Sequence, residues 1–212
     1  MTELLQYLFS GLTVGAVYAL VALGFTLIYN ASDVVNFAQG EFVMLGGMIT
    51  FFVWHAGIPL PLAAILAVAV AIFVLLKLFF ARTLTGKAVL ATADNRIAAS
   101  LVGINPNTMM TLSFAVSAAI GALAGVLATP ITLTSYDLGV AIGLKGFAAA
   151  MLGGMGIPAG ALVGGLLLGL IEALTAGYVS SVYKDAVAFV IILAVLFAMP
   201  QGLFGRKAMD RV

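Results

Sequence analysis

The sequence predicts an all-α protein, a polytopic transmembrane helix bundle of about seven spans. Hydrophobic residues make up 64% of the 212 residues and charged residues only 8%, whereas soluble domains carry about 25% charged residues. Residues 4–32 and 42–76 contain no charge apart from the neutral histidine at position 55, and a spanning helix needs about 20 apolar residues. Too few polar residues remain to cover a water-soluble surface, so we expect a membrane protein.

Glycine and proline divide the apolar runs, because a helix in lipid must satisfy its own backbone hydrogen bonds. The chain is predicted to form one transmembrane domain over residues 1–212, with a loop at 82–107 outside the membrane. Seven spans follow, of which the second and fifth are short. They are Leu4–Ile28, Phe42–Trp54, Leu62–Phe80, Met109–Thr129, Leu138–Leu152, Ala159–Val179 and Ala186–Met199.

The lysines and arginines predict the orientation of the spans, since these residues concentrate on the cytoplasmic side. Seven of them fall around the central loop or in the C-terminal tail, which four spans separate, and Lys184 alone lies opposite. The seven are Lys77, Arg82, Lys87, Arg96, Arg206, Lys207 and Arg211. The central loop and the C-terminus are therefore predicted to be cytoplasmic, and the N-terminus to be outside.

Glycines recur at a spacing of four residues, which makes a flat stripe on a helix. Packing between helices of this chain explains such stripes, and an interface with another permease or a sliding helix is the alternative. The pairs are Gly11/Gly15, Gly121/Gly125, Gly139/Gly143, Gly156/Gly160/Gly164 and Gly165/Gly169. The pentapeptide MLGGM also occurs twice, at Met44–Met48 and Met151–Met155. It is either a chance match or one trace of an inverted repeat, a common arrangement in transporters.

Three charged residues lie in or beside predicted spans, where a charge costs several kcal/mol and normally faces the bundle interior or water. Lys145 and Glu172 either form an ion pair or line a polar transport route; proton coupling is a lesser alternative. Glu41 either lies near the cytoplasmic mouth as a helix N-terminal charge or belongs to the same route. His55 is expected to be a solvated turn residue, because no second metal donor lies near it.

Signatures of catalysis are missing from the sequence. There is no cysteine, no HExxH and no GxSxG. The stretch LTGKA does not meet the phosphate-loop pattern, since Ala81 and Ala88 stand where that pattern needs Gly and Ser or Thr. We therefore expect that this chain is not an enzyme and holds no metal and no cofactor. It also lacks a stripe of basic residues that would bind nucleic acid. If ATP drives the protein, a separate subunit binds it.

The polar segment Thr83–Asn107 is predicted to hold one short amphipathic helix. Val89, Ala93, Ile97 and Leu101 recur at a spacing of four, which places them on one face. Gly103 then ends the helix. Such a helix would either present a face to a partner or serve as a simple interfacial connector.

Several blocks resemble the LivH-type permease subunits of bacterial branched-chain amino acid ABC transporters. They are GLTVGAVYALVALGFTLIYN…VVNFAQGEFVMLGG, RTLTGKAVLATADNRIAASLVGIN, LKGFAAAMLGGMGIPAGALVGGLLLGLIEAL and MPQGLFG. The resemblance implies a bacterial inner-membrane location, a second related permease, two cytoplasmic ATPase subunits and a periplasmic substrate-binding protein. It departs from the family in lacking about one helical hairpin before the coupling loop, and in carrying Leu90 and Ala93 at positions where the family has a basic and an acidic residue.

Two sites are expected. The resemblance places Asn36, Gln39 and Glu41 in the translocation route, and the cost of a charge in the membrane adds Lys145 and Glu172. The resemblance also implies an ATPase-coupling segment. The ATPase-coupling segment would use Thr83, Gly86, Lys87, Asp94, Arg96, Leu101 and Gly103. The expected function is the permease subunit of an ATP-driven importer for branched-chain or other hydrophobic amino acids. The alternatives are an importer of urea, amides or aromatic acids, a stand-alone carrier or channel, and a non-transporting remnant.

Overall fold

The computed structural model describes residues 2–55, 78–132, 135 and 137–205, and this part of the chain is helical with no strand. Residues 78–82 form a helical segment that leads into the central loop. The remaining helices are α1 (Thr2–Ser32), α2 (Gln39–His55), α3 (Leu84–Asp94), α4 (Arg96–Leu101), α5 (Pro106–Thr132), α6 (Leu138–Gly153), α7 (Pro158–Tyr178) and α8 (Lys184–Ala198). The predicted all-α bundle is confirmed.

Among the described residues, three helices are long and apolar enough to cross a membrane: Glu3–Ser32, Pro106–Thr132 and Pro158–Tyr178. The helices α2, α6 and α8 have 17, 16 and 15 residues, fewer than the roughly 20 that a full span needs. Three of the predicted spans are therefore short rather than two. Residues 62–77 of the predicted third span lie outside the described residues.

The first helix is the centre of the bundle. It packs against α5, α6 and α7, and its middle turns around Leu20, Val21 and Ala22 are fully buried. Side chains from these neighbouring helices form one hydrophobic core around it. Because α1 is apolar on all sides, it is suited to this enclosed position rather than to one facing water.

The glycine stripes pack helices of this chain against one another, which confirms the simpler prediction. A Cβ atom at Gly11 would lie 2.9 Å from the Leu170 Cα of α7, and one at Gly15 would lie 2.9 Å from the Leu166 Cα. The other stripes make equally close contacts. Gly165/Gly169 face α1, Gly121/Gly125 face α2, Gly139/Gly143 face Gly40 of α2, and Gly160/Gly164 face α6.

One end of the bundle gathers the polar loop and several helix termini. The Asn30 side chain near the end of α1 donates to the Gly156 carbonyl before α7 at 2.9 Å. Leu203 N donates to the Leu152 carbonyl at the end of α6 at 2.9 Å, and Arg96 of α4 reaches α1 as described below. We call this the loop end; it is the end that the sequence predicts to be cytoplasmic.

The two MLGGM copies occupy different structural positions. Gly46 and Gly47 of the first copy lie inside α2, whereas Gly153 and Gly154 of the second lie where α6 ends, with Gly154 at φ 106°. The helices α2 and α6 do run in opposite directions, because Phe37 contacts Phe147 while Gly40 packs on Gly143 farther from the loop end. The pentapeptide itself does not mark equivalent positions of a repeat.

The prediction of a single helix in the central loop is wrong, because the structure has two. Asn95 adopts an extended conformation between α3 and α4, and its side chain accepts from Ala98 N at 2.9 Å as the N-cap of α4. Because the helix restarts there, the predicted face is not continuous: Val89 is 6% exposed but Leu101 is 82% exposed. Thr92, which is not among the four residues of the predicted apolar face, is buried.

Candidate functional site

The junction between α1 and α2 is a non-helical turn at residues 33–38. Asp33 has φ 56°, a left-handed conformation that is uncommon for residues other than glycine. Asn36 then stabilises the turn, because its Oδ1 accepts a hydrogen bond from Ala38 N at 3.0 Å. The predicted interruption of the helices at NFAQGEF is therefore confirmed, and Asn36 supports the backbone at this interruption.

Gln39, the first residue of α2, is fully buried. Its Nε2 donates to the Ser117 carbonyl of α5 at 3.1 Å. The Ser117 hydroxyl lies 2.8 Å from Gln39 Oε1 and 2.7 Å from the Gly24 carbonyl of α1, and its one proton serves one of these acceptors at a time. Gln39 thus joins three helices in the packed interior.

Glu41 lies on the exposed side of α2. It shares this side with Leu45, Ile49 and Phe52, which are all exposed. Its neighbour Gln39 is level with Ser117, which is about 17 Å from the start of α5 at 1.5 Å per residue. Glu41 is therefore near the middle of that 27-residue helix, deeper than the mouth position considered from the sequence. It forms no ion pair within the described part of the chain.

A cluster of polar side chains links α1, α6, α7 and α8 in the half of the bundle away from the loop end. Lys145 Nζ lies 2.9 Å from Glu172 Oε1, 2.8 Å from Asp185 Oδ1 and 3.1 Å from the Tyr18 hydroxyl. The Tyr18 hydroxyl donates to Glu172 Oε2 at 2.8 Å. Lys184 Nζ lies 3.5 Å from Glu172 Oε1. We call these five residues the ionic cluster.

The hydrogen-bonding groups of Lys145 and Glu172 all have partners within the cluster. The three protons of the Lys145 ammonium have three acceptors, and both oxygens of Glu172 have donors. The side chains of Lys145 and Glu172 are 15% and 8% exposed. Burial alone would raise the pKa of Asp185, at the start of α8, but the hydrogen bond and charge of Lys145 outweigh it and keep that pKa below its usual value. The ion pair considered from the sequence is present; a role in the transport route stays a prediction.

The predicted coupling residues at the start of α3 mainly support the backbone. Thr83 is the N-cap of α3, since its Oγ1 accepts from Gly86 N at 2.9 Å. Gly86 is buried against the Phe79–Phe80 backbone, where a Cβ would lie 2.7 Å from Phe80 Cα. Lys87 is exposed.

The remaining predicted coupling residues lie towards α4. Arg96 Nη2 donates to the Ala31 carbonyl in the last turn of α1 at 2.6 Å, a favourable position for a cation at a helix C-terminus. Asp94 is exposed, and Gly103 has φ 88°, which ends the segment. The hydrogen bond of Arg96 therefore connects the central loop to the end of α1, just before the α1–α2 junction.

The same segment exposes large apolar side chains. Leu84, Ile97, Leu101 and Val102 are all at least 75% exposed. Apolar side chains gathered at one end of a protein commonly mark a contact with a partner or a membrane. Leu101 was predicted for such a contact, and the structure adds the other three.

His55 ends α2 in an exposed position, with its ring 4.6 Å from that of Phe51. No group of three or more metal-ligating side chains occurs in the described ranges. The exposed position of His55 agrees with its interpretation as a solvated residue, although it ends the helix rather than lying in a turn.

A family model for the permease component of branched-chain amino acid transport systems matches this sequence over residues 7–76 and 67–196. The chain belongs to this family. It is thus a membrane protein of the importer-permease class, a transport component rather than a catalytic one.

Individual relatives agree with the family match. The high-affinity branched-chain amino acid permease LivH of Salmonella typhimurium is 29% identical over 98% of this chain and 97% of its own length. BraD of Pseudomonas aeruginosa, also named as such a permease, is 29% identical over 98% of each chain. The ribose import permease RbsC of Haemophilus influenzae is 34% identical over 66% of this chain and 45% of its own length. No solved structure matches the chain.

The permease is shorter than these relatives, as the resemblance predicted. The alignment with LivH runs over 301 positions, and 98% of this chain is about 208 residues, so about 93 positions lack a residue here. Two spans need about 40 residues, which leaves room for the predicted hairpin and its loops. The two family matches meet at residues 67–76, which indicates where the difference lies.

Sequence reasoning missed three polar partners of the predicted site residues. Tyr18 and Asp185 complete the ionic cluster, and Ser117 completes the contact of Gln39. A phenol within an apolar run and a carboxylate one residue before a span are weak signals, because partners on different helices leave no spacing in the sequence.

Proposed function

We propose that this chain is the permease subunit of an ATP-driven importer for branched-chain or other hydrophobic amino acids. The observation that carries the proposal is the alignment of nearly the whole chain with LivH and BraD, both named as branched-chain amino acid permeases. In this proposal a second related permease completes the route, two cytoplasmic ATPase subunits bind and hydrolyse ATP, and a periplasmic binding protein delivers the cargo.

The exposed apolar side chains of the central loop support the ATPase contact. Leu84, Ile97 and Leu101 would bind the ATPases, while Arg96 would transmit their movement to the end of α1 through the Ala31 carbonyl. The loop end would then be cytoplasmic and the N-terminus outside, in the inner membrane of a bacterium. The distribution of lysine and arginine supports the same orientation.

Glu41 is the strongest candidate for a route residue in the proposed importer. Its carboxylate is exposed near mid-depth without an ionic partner in the described structure. A charge at that depth normally faces a cavity or another protein surface rather than lipid. Lys145 and Glu172 are weaker candidates because they satisfy each other.

A ribose-type cargo is a second candidate, favoured by the RbsC match. That match covers a smaller part of this chain than the LivH match does, so we place an amino acid cargo first. The binding protein would decide between the two cargoes.

The decisive experiment is uptake by proteoliposomes that contain this permease together with the proposed second permease and ATPase subunits. We expect leucine uptake that needs internal ATP and the external binding protein. An ATPase variant lacking its catalytic carboxylate is the matched control and should abolish uptake. Uptake that persists without ATP under an ion gradient would instead indicate a stand-alone carrier, and ribose uptake would favour the second candidate.

A further inference from the structure

A cleft of about 350 Å³ opens at the loop end of the bundle, between α1, α3 and the start of α7. Its walls include Leu27, Phe80, Val89, Leu90 and Pro158. Apart from the Asn30 amide, the lining side chains are apolar. None of the roles argued above uses this space.

The cleft lies at the level of a membrane surface. Leu27 belongs to the last turns of α1, and Pro158 is the first residue of α7. Both helices are long enough to span a bilayer. A space at the ends of two such helices is level with the boundary between lipid head groups and acyl chains.

Two cations lie close in the chain to residues that line this apolar space, although neither lines it itself. Arg82 directly follows Ala81, which lines the cleft, and Lys87 lies three residues before Leu90 and so near it on the surface of α3. Both are exposed, and neither forms an ion pair within the described ranges. Asp94 is at the opposite end of α3 from Lys87, about 10 Å along the helix.

We propose that this cleft binds one acyl chain of an anionic phospholipid whose phosphate contacts Arg82 and Lys87. An apolar space with cations beside it matches the two parts of such a lipid, and basic pockets between membrane helices are suited to anionic head groups. A free phosphate ion would not contact the apolar walls, whereas an acyl chain would. The exposed apolar residues proposed to bind the ATPases, such as Ile97 and Leu101, do not line the cleft.

A tryptophan at the edge of the cleft tests this proposal. Trp54 is the single tryptophan of the sequence, so a Trp54→Phe/Leu90→Trp variant carries one reporter. Nanodiscs of phosphatidylcholine would receive increasing fractions of phosphatidylglycerol with brominated acyl chains, which quench tryptophan on contact. We expect quenching that saturates at a low fraction of brominated lipid.

The matched reporter is Trp54→Phe/Leu123→Trp, because Leu123 is exposed on α5 away from the cleft. Lipids that merely surround the protein should quench this reporter in proportion to their fraction. Proportional quenching at position 90 as well would overturn the proposal, because it would mean that the cleft is reached only by the surrounding lipid.

Two further variants, made in the Leu90→Trp reporter, separate the head group from the chain. Each cation near an anionic surface is worth about 1 kcal/mol, so Arg82→Gln/Lys87→Gln should raise the half-saturating fraction by about 30-fold. Ala93→Phe, which fills the cleft, should remove the saturable component. Thermal unfolding in pure phosphatidylcholine checks that each variant is folded. Unchanged saturation in either folded variant would reject the proposal, and no arm depends on transport.

Discussion

Replacing Lys145 by methionine should destabilise the permease by about 3 kcal/mol. The substitution leaves the Glu172 carboxylate, with its side chain 8% exposed, without its nearest cation. Removing one partner of a buried ion pair typically costs about 3–5 kcal/mol, and the lower end applies because Lys184 is 3.5 Å away and partly compensates. The Tyr18 hydroxyl would keep its bond to Glu172.

Glu172→Leu alone should also cost about 3 kcal/mol, because it leaves Lys145 without its buried partner. The double variant Lys145→Met/Glu172→Leu should therefore cost about as much as either single variant rather than the sum of the two. Replacing a whole buried pair by apolar residues of similar size is often neutral or stabilising. What remains is the Tyr18 hydroxyl without its acceptor, at about 1–3 kcal/mol, and the exposed contact of Asp185, at about 1 kcal/mol or less. We therefore expect a coupling free energy of about 3 kcal/mol between Lys145 and Glu172.

Equilibrium unfolding in mixed micelles with increasing denaturing detergent measures these differences. Lys184→Gln is the matched control: its side chain is 42% exposed, so we expect a loss of about 1 kcal/mol or less. If the charges of Lys145 and Glu172 instead face a hydrated route, each single variant should cost little and the two effects should add. Additivity within about 0.5 kcal/mol would refute the cluster as a structural unit.

Four further changes test other parts of the molecule. Thr26→Val should stabilise the bundle by about 1 kcal/mol in the same unfolding assay, because Thr26 Oγ1 is buried without a hydrogen-bond partner in the described chain. Ser117→Ala should instead cost about 1 kcal/mol, since Ser117 bonds two helices. Gly169→Ala should lower stability by about 1–3 kcal/mol, because the added methyl would overlap the Gly15 backbone. Leu101→Asp should leave the unfolding midpoint unchanged but reduce co-purification of the ATPase subunits, since Leu101 is exposed at the proposed contact.

Each of these outcomes can fail in an informative way. If Thr26→Val destabilises the bundle, either the hydroxyl has a hydrogen-bond partner or the methyl group that replaces it does not fit the site. A silent Gly169→Ala change would contradict the close helix contact, and full co-purification with Leu101→Asp would move the ATPase contact elsewhere.

The sequence predicted the features that depend on local pattern or on bulk composition. Apolar runs and breakers predicted the helices, and the spacing of Gly165 and Gly169 predicted a close helix contact, which the structure shows to be with α1. The charge cost predicted that Lys145 would need a partner, and Glu172 was one of few available. These inferences work because each rests on a requirement that any bilayer imposes on a helix.

Features set by a single side chain or by another helix were not predictable in the same way. The break at Asn95 turned a continuous amphipathic pattern into two helices; its N-cap preference was a usable signal that the spacing argument overrode. The contact of Gln39 with Ser117 joins residues 78 positions apart, and nothing in their own surroundings pairs them. Similarly, the position of Glu41 near mid-depth follows from the packing of α2 on α5.

Near the middle of the described bundle, the ionic and amide side chains separate into those that the described chain satisfies itself and Glu41, which it does not. Gln39 and Ser117 bond to each other, and Lys145 and Glu172 do the same. Glu41 is near the same depth but exposed, with no ionic partner in the described part of the chain. Lipid would make this charge costly, so we expect water, another part of the chain, a second subunit or the cargo to stabilise it. Glu41→Gln should therefore spare folding yet impair uptake by the assembled importer, and normal uptake would show that Glu41 lies outside the route.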